Sequence, residues 1–144
     1  MQKKKFLIGI AIFIWVIFLM DFCAQIYFLY WRFWWADILM HFLGGAWLAL
    51  LGYYIFYLSD FKEKITTWTR RVQVGVFEKY SLFTVSLVFV LGIGILWEGF
   101  ELFFAFPLKP GYISDTILDL IMDTLGWLVT YFFVLKKIDI WQKH

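Results

Sequence analysis

Four apolar stretches, at roughly 6–30, 38–58, 81–106 and 115–135, occupy most of this 144-residue chain. Each reaches the length of about 20 residues that a helix needs to cross a bilayer. The chain is 63% hydrophobic and 24% aromatic, with a mean hydropathy of +0.78. A soluble domain of this size has no core large enough to hide that surface. The sequence therefore predicts an all-α, polytopic integral membrane protein with four transmembrane helices, forming one transmembrane domain over 1–144.

The start, Met1-Gln-Lys-Lys-Lys, leads into an apolar run too long for a signal peptide's core. No small-residue cleavage site follows it, so the run is read as a retained first helix. The aromatic group Trp31-Arg-Phe-Trp-Trp before the second segment is typical of the headgroup level. Pro107-Leu-Lys-Pro110-Gly111 breaks the third helix and turns the chain.

With the N-terminus placed in the cytoplasm, eleven of the thirteen Lys and Arg residues fall inside, and only Arg32 and Lys109 fall outside. The positive-inside rule then sets both termini in the cytoplasm (N-in, C-in) at a cell membrane. In the loop 60–80, Ile65, Trp68, Val72, Val76 and Tyr80 recur at three- and four-residue steps among Lys62, Lys64, Arg70 and Arg71. That pattern predicts a short basic interfacial helix on the cytoplasmic surface. The net charge of +2 gives no argument for nucleic acid. The lone cysteine, Cys23, allows no internal disulfide and is expected as a small packing residue.

Against this background the acids stand out. Seven of the eleven acidic residues (Asp21, Asp37, Glu98, Glu101, Asp115, Asp119 and Asp123) lie in or at the edge of the apolar segments, with His41 among them. A carboxylate at the bilayer centre costs about 3 kcal/mol on insertion scales, so the group must be neutralised by protons, an internal partner or a bound cation.

The topology puts all of these residues in the outer halves of the helices. Helical spacing gives each set one face: Asp37 with His41, Glu98 with Glu101, and Asp115, Asp119 and Asp123 at steps of four. Gly44, Gly45 and Gly126 continue those faces one turn deeper, where small residues allow close packing. Asp115 or Ser114 is also a plausible cap for the fourth helix.

Carboxylates beside one imidazole suit a divalent metal of unspecified identity. Asp37, His41, Glu98, Glu101, Asp115, Asp119 and Asp123 are the candidate ligands. His41, Glu98 and Glu101 are candidates for acid–base chemistry. No serine or cysteine pairs with His41 at a readable spacing, which disfavours acyl transfer.

The elements Asp37-Ile-Leu-Met-His41-Phe-Leu-Gly44-Gly45, Trp97-Glu98-Gly-Phe-Glu101 and Asp115-Thr116-Ile-Leu-Asp119-Leu-Ile-Met-Asp123-Thr-Leu-Gly126 resemble, in order and spacing, the bacterial inner-membrane YjdF family. They resemble VanZ-like proteins more loosely. The resemblance covers segments two to four and implies a membrane fold and a site, with little chemistry.

Three functions compete at this level. One is a metal-dependent protein acting on or binding an envelope or lipid-linked substrate at the outer leaflet. Another is a proton- or cation-coupled small transporter, disfavoured by the apolar inner halves of the helices, which would need Thr130 or Tyr131 to extend a path. The last is a non-catalytic scaffold whose polar network fixes helix register. The bilayer is the expected partner, and four helices leave surface enough for dimers.

Overall fold

The structure, a computed structural model, describes residues 2–59, 82–104 and 111–135. The predicted interfacial helix of the 60–80 loop and the Pro107–Pro110 turn lie outside the described residues. Within them the chain is helical, with no strand. Four helices are long and apolar enough to span a membrane, at Lys3–Ile26, Trp35–Leu58, Leu82–Phe104 and Tyr112–Leu135.

Helix α1 runs from Gln2 to Ile26, so it starts and ends about four residues earlier than the expected stretch 6–30. It stops because Phe28 adopts a left-handed conformation, φ 55°. That backbone is unusual for a side chain of this bulk. The chain then makes a single turn, α2, at Leu29–Arg32. Tyr30 fastens this corner by donating its hydroxyl hydrogen to Asp21 Oδ1 at 2.5 Å, and Gln25 Nε2 donates to Asp21 Oδ2 at 2.7 Å.

Helix α3 (Trp35–Tyr53) continues through a π-helical turn, Tyr54–Leu58. It closes on Ser59, whose backbone N–H and hydroxyl donate to the carbonyls of Tyr54 and Ile55. Helix α4 spans Leu82–Phe104. Helix α5 spans Tyr112–Thr130 and ends in a second π-helical turn, Tyr131–Leu135. Gly111, at φ 89°, starts α5. This places the start three or four residues ahead of the cap expected at Ser114 or Asp115, and Asp115 sits in the first turn instead.

Helix–helix association in a membrane relies on close packing rather than on escape from water, and the buried faces show it. On α4 the buried residues are Leu82, Ser86, Val90, Gly94 and Glu98, one every fourth position. On α3 they are mostly small: Ala36, Gly45, Ala46, Ala49 and Gly52, with Tyr53. On α1 only a thin seam of Ile10, Ile17 and Ala24, seven apart, is buried. Much of the rest of α1, including Ile12, Trp15, Leu19 and Phe22, is exposed. Cys23 lies on that exposed side, so the expectation of an internal packing residue does not hold.

Helix α3 is central, touching α1, α4 and α5, and its longest interface is with α5. Contacts fix the directions. Phe6 meets Tyr53, and Trp47 Nε1–H donates to the Ile10 carbonyl at 3.0 Å, so α1 is antiparallel to α3. Ring contact of Phe83 with Trp127, and a hydrogen bond from Tyr112 to the Glu98 carbonyl, make α4 antiparallel to α5. Helices α3 and α5 are parallel, because His41 meets Asp119 while, further along both helices, a β-carbon on Gly126 would meet Phe42 and Ala46. One half of the bundle is filled by Ala49, Tyr53, Leu82, Val90, Trp127 and Leu135. There Trp127 Nε1–H donates to Ser86 Oγ at 2.9 Å, and Ser86 in turn donates to the Leu82 carbonyl at 2.7 Å. The other half holds the acids.

Candidate metal centre

Because α3 and α5 run parallel, the first turns of one meet the first turns of the other. Asp37 is in the first turn of α3, and His41 is one turn further along the same face. Asp119 and Asp123, 2% and 5% exposed, point inward from α5. The imidazole of His41 sits between them. Its Nε2 is 3.8 Å from Asp119 Oδ2, and its Nδ1 is 3.5 Å from Asp123 Oδ1.

Asp37 closes the group. One potential ligand atom each from Asp37, His41 and Asp119 all lie within 4.8 Å of one another. Two ligand atoms about 2.1 Å from a shared ion stand roughly 3.0–4.2 Å apart, depending on the angle between them. The His41–Asp119 separation falls in that range.

Glycines make this approach possible. A β-carbon on Gly45 would overlap the backbone of Asp123, and one on Gly126 would overlap the Phe42 carbonyl. The two helices therefore cross backbone to backbone just below His41. A β-carbon on Gly94 of α4 would stand 2.8 Å from Asp123 Oδ2, and one on Gly44 would stand 3.9 Å from Asp123 Oδ1. The Asp123 carboxylate thus occupies a recess bounded by two glycines and the imidazole. It is on the far side of the ring from Asp119, where it can orient His41 without sharing its ligand nitrogen.

The seven acids that the sequence draws together do not form one shell. Asp37 and Asp119 group with His41, and Asp123 backs the imidazole. Glu98, 6% exposed on α4, lies within electrostatic range of Asp119 and Glu101. Glu101 is half-buried, accepts a 2.8 Å hydrogen bond from Trp97 Nε1, and feels the charges of His41 and Asp37. Asp115 is exposed and outside the group. Asp21 belongs to the rim through Tyr30, whose hydroxyl also feels Asp37 and Glu101. Burial, followed by the hydrogen bond and charge of Asp21, pushes the Tyr30 phenol well above its ordinary range, so it stays a donor.

Gly94, Tyr30, Tyr112 and Thr116 were not singled out as site residues by sequence reasoning. Gly94 had a signal, since it precedes Glu98 by one turn and so shares its face. Tyr30 had none, because its role depends on the left-handed corner at Phe28.

Chemically, the group offers one nitrogen and two carboxylates to a cation, with a further carboxylate behind the nitrogen and two beside it. Only His41 can carry positive charge among the described residues of the cluster, so the acids cannot all be ionised without an added cation or protons.

A family model described as "Predicted membrane protein (DUF2238)" matches residues 2–138. No curated protein and no solved structure matches the chain.

Proposed function

This chain belongs to the DUF2238 family of predicted membrane proteins, and we propose that it binds one divalent metal ion between Asp37, His41 and Asp119 to act on an envelope or lipid-linked substrate. The observation that carries this is the meeting of three potential ligand atoms within 4.8 Å on two parallel helices.

One nitrogen and two oxygens suit Mn, Fe or Zn, and three protein ligands leave positions open, as catalytic rather than structural sites do. Bound there, the ion would polarise a substrate oxygen and acidify a bound water. His41, Asp37 and Asp119 would hold the ion, and Asp123, 3.5 Å from His41 Nδ1, would orient the imidazole. Glu101, its carboxylate steadied by Trp97, is the group placed to accept a proton from water or substrate.

The substrate side follows from the surroundings. Exposed Trp31, Trp34, Trp35, Phe103 and Phe104 surround the end of the bundle that holds the cluster. Such aromatics settle at the headgroup level. The Lys and Arg bias supports an orientation with this end at the outer face of a cell membrane and both termini in the cytoplasm. Beneath the cluster, Trp127, Tyr53 and Val90 are fully buried and fill the bundle, which favours a site open at one end over a transport path.

The test is elemental analysis of detergent-purified protein. Wild type is expected to carry about one divalent transition metal per chain, and His41→Ala and Asp119→Asn almost none. Metal-free wild type whose unfolding temperature ignores both chelator and added metal would overturn the proposal.

A further inference from the structure

The metal group leaves Glu98 unexplained. It is 6% exposed, and its Oε1 is fully buried with no hydrogen-bond partner among the described residues. Buried polar atoms of this kind are rare and ask for a partner. A second one lies close by. Thr116 Oγ1 is also fully buried and unpartnered among the described residues.

Their positions converge. Tyr112 donates to the Glu98 carbonyl at 2.9 Å, and Leu120 Cδ2 lies 3.1 Å from where a β-carbon of Gly94 would stand. Tyr112, Thr116 and Leu120 are successive turns on one face of α5, and Gly94 and Glu98 are successive turns on one face of α4. Since the helices are antiparallel, Thr116 lies level with the turn between Gly94 and Glu98. Glu98 is within electrostatic range of Asp119, one turn from Thr116. Glu98 and Thr116, each with an orphaned oxygen, therefore lie at one crossing of α4 and α5, next to Asp119 of the proposed metal group.

We infer that Glu98 and Thr116 form a second cation subsite, all oxygen, for a hard cation of the Na⁺, Mg²⁺ or Ca²⁺ class. A carboxylate and a hydroxyl with no nitrogen or sulfur suit such ions, which complete their shells with water. The cation also answers the charge problem. With one divalent ion at His41, the acids Asp37, Glu98, Glu101, Asp119 and Asp123 still outweigh the positive charge. A second cation beside Asp119 reduces the surplus where it is greatest. The subsite does not depend on a metal at His41.

The test uses the full chain in detergent. Unfolding temperature is followed against NaCl, MgCl₂ and CaCl₂, with choline chloride holding ionic strength constant. Transition metal content is measured in parallel. Wild type should show a saturable rise with at least one of the three salts. Thr116→Val and Glu98→Gln should each raise the half-saturating concentration by about tenfold or more. Thr116→Val keeps its shape and breaks no described hydrogen bond, so it is the variant expected to fold normally. Both variants should keep their transition metal, and His41→Ala should lose it while retaining the salt response. No saturable rise with any of the salts, or a response unchanged in both variants, overturns the subsite and leaves a bridging water as the partner of the two oxygens. A normal salt response in wild type that lacks transition metal supports the subsite and overturns the metal proposal instead.

Discussion

Asp123 Oδ2 lies 2.8 Å from the position where a side chain at Gly94 of α4 would have to begin. The carboxylate that backs His41 is thus held by the absence of an atom on a neighbouring helix.

Gly94→Ala should disturb the site directly. Its methyl would press on Asp123 Oδ2 and, at 3.1 Å, on Leu120 Cδ2. Overpacking of this kind costs about 1–3 kcal/mol, more than the helix-propensity gain of about 1 kcal/mol for Gly→Ala. Gly92→Ala, with nothing within 4 Å, is the control and should be neutral or slightly stabilising. Thermal unfolding in detergent compares the two, and equal effects would refute the packing argument.

Asp123→Asn should separate orienting from ligation. Removing a carboxylate behind a metal-bound histidine lowers affinity by about 10–100-fold. A metal titration should therefore show full stoichiometry at weakened affinity for Asp123→Asn, and no binding for Asp119→Asn. Identical behaviour of the two variants would show that Asp123 is a ligand.

In the filled half, Ser86→Ala should cost about 1–3 kcal/mol, because it strands the Trp127 N–H in a buried place. Trp127→Phe removes the donor as well as packing volume. In the double variant the loss should be smaller than the sum of the two single losses. A strictly additive cycle would mean that the hydrogen bond contributes nothing.

Tyr30 should make stability fall in alkali. Its folded pKa is raised above the ordinary 10.0, by burial first and then by Asp21. Below pH 10 the phenol is protonated whether the chain is folded or not, and its contribution is complete. Above pH 10 the unfolded chain releases the proton and the folded one keeps it, so stability declines as pH rises. Unfolding scans from pH 8 to 11 should show a shallower decline for Tyr30→Phe than for wild type.

Orientation is tested by labelling. In a Cys23→Ala background, Lys109→Cys should react with an impermeant reagent added outside cells. A reporter fused after His144 should report cytoplasm. The reverse pattern would turn the proposed site toward the cytoplasm.

The four helices were legible because their length and apolarity leave a membrane chain few alternatives. The faces were legible too: Asp37 with His41, and Asp119 with Asp123, share a side as helical spacing requires. Spacing could not tell which acid of one helix meets which residue of another, since that depends on rotation and relative height. Asp115 has the same four-residue spacing as Asp119 and Asp123, yet it is exposed because it sits in the first turn of α5. Glu98 and Glu101 were paired in sequence but take different partners. One has a buried oxygen without a hydrogen-bond partner among the described residues, and the other accepts from Trp97. The corner at Phe28 carried no glycine or proline to announce it.

The crossing of α3 and α5 has a mechanical consequence. At Gly45 and Gly126 each helix seats its backbone in a notch of the other. A joint keyed on both sides resists sliding, because any axial shift drives a side chain into main chain. What it permits is swivelling about the crossing. Motion that widens the mouth between Asp37 and Asp119 then becomes a small rotation about a fulcrum set about two turns beneath them, and the buried half beyond the fulcrum must swing the opposite way.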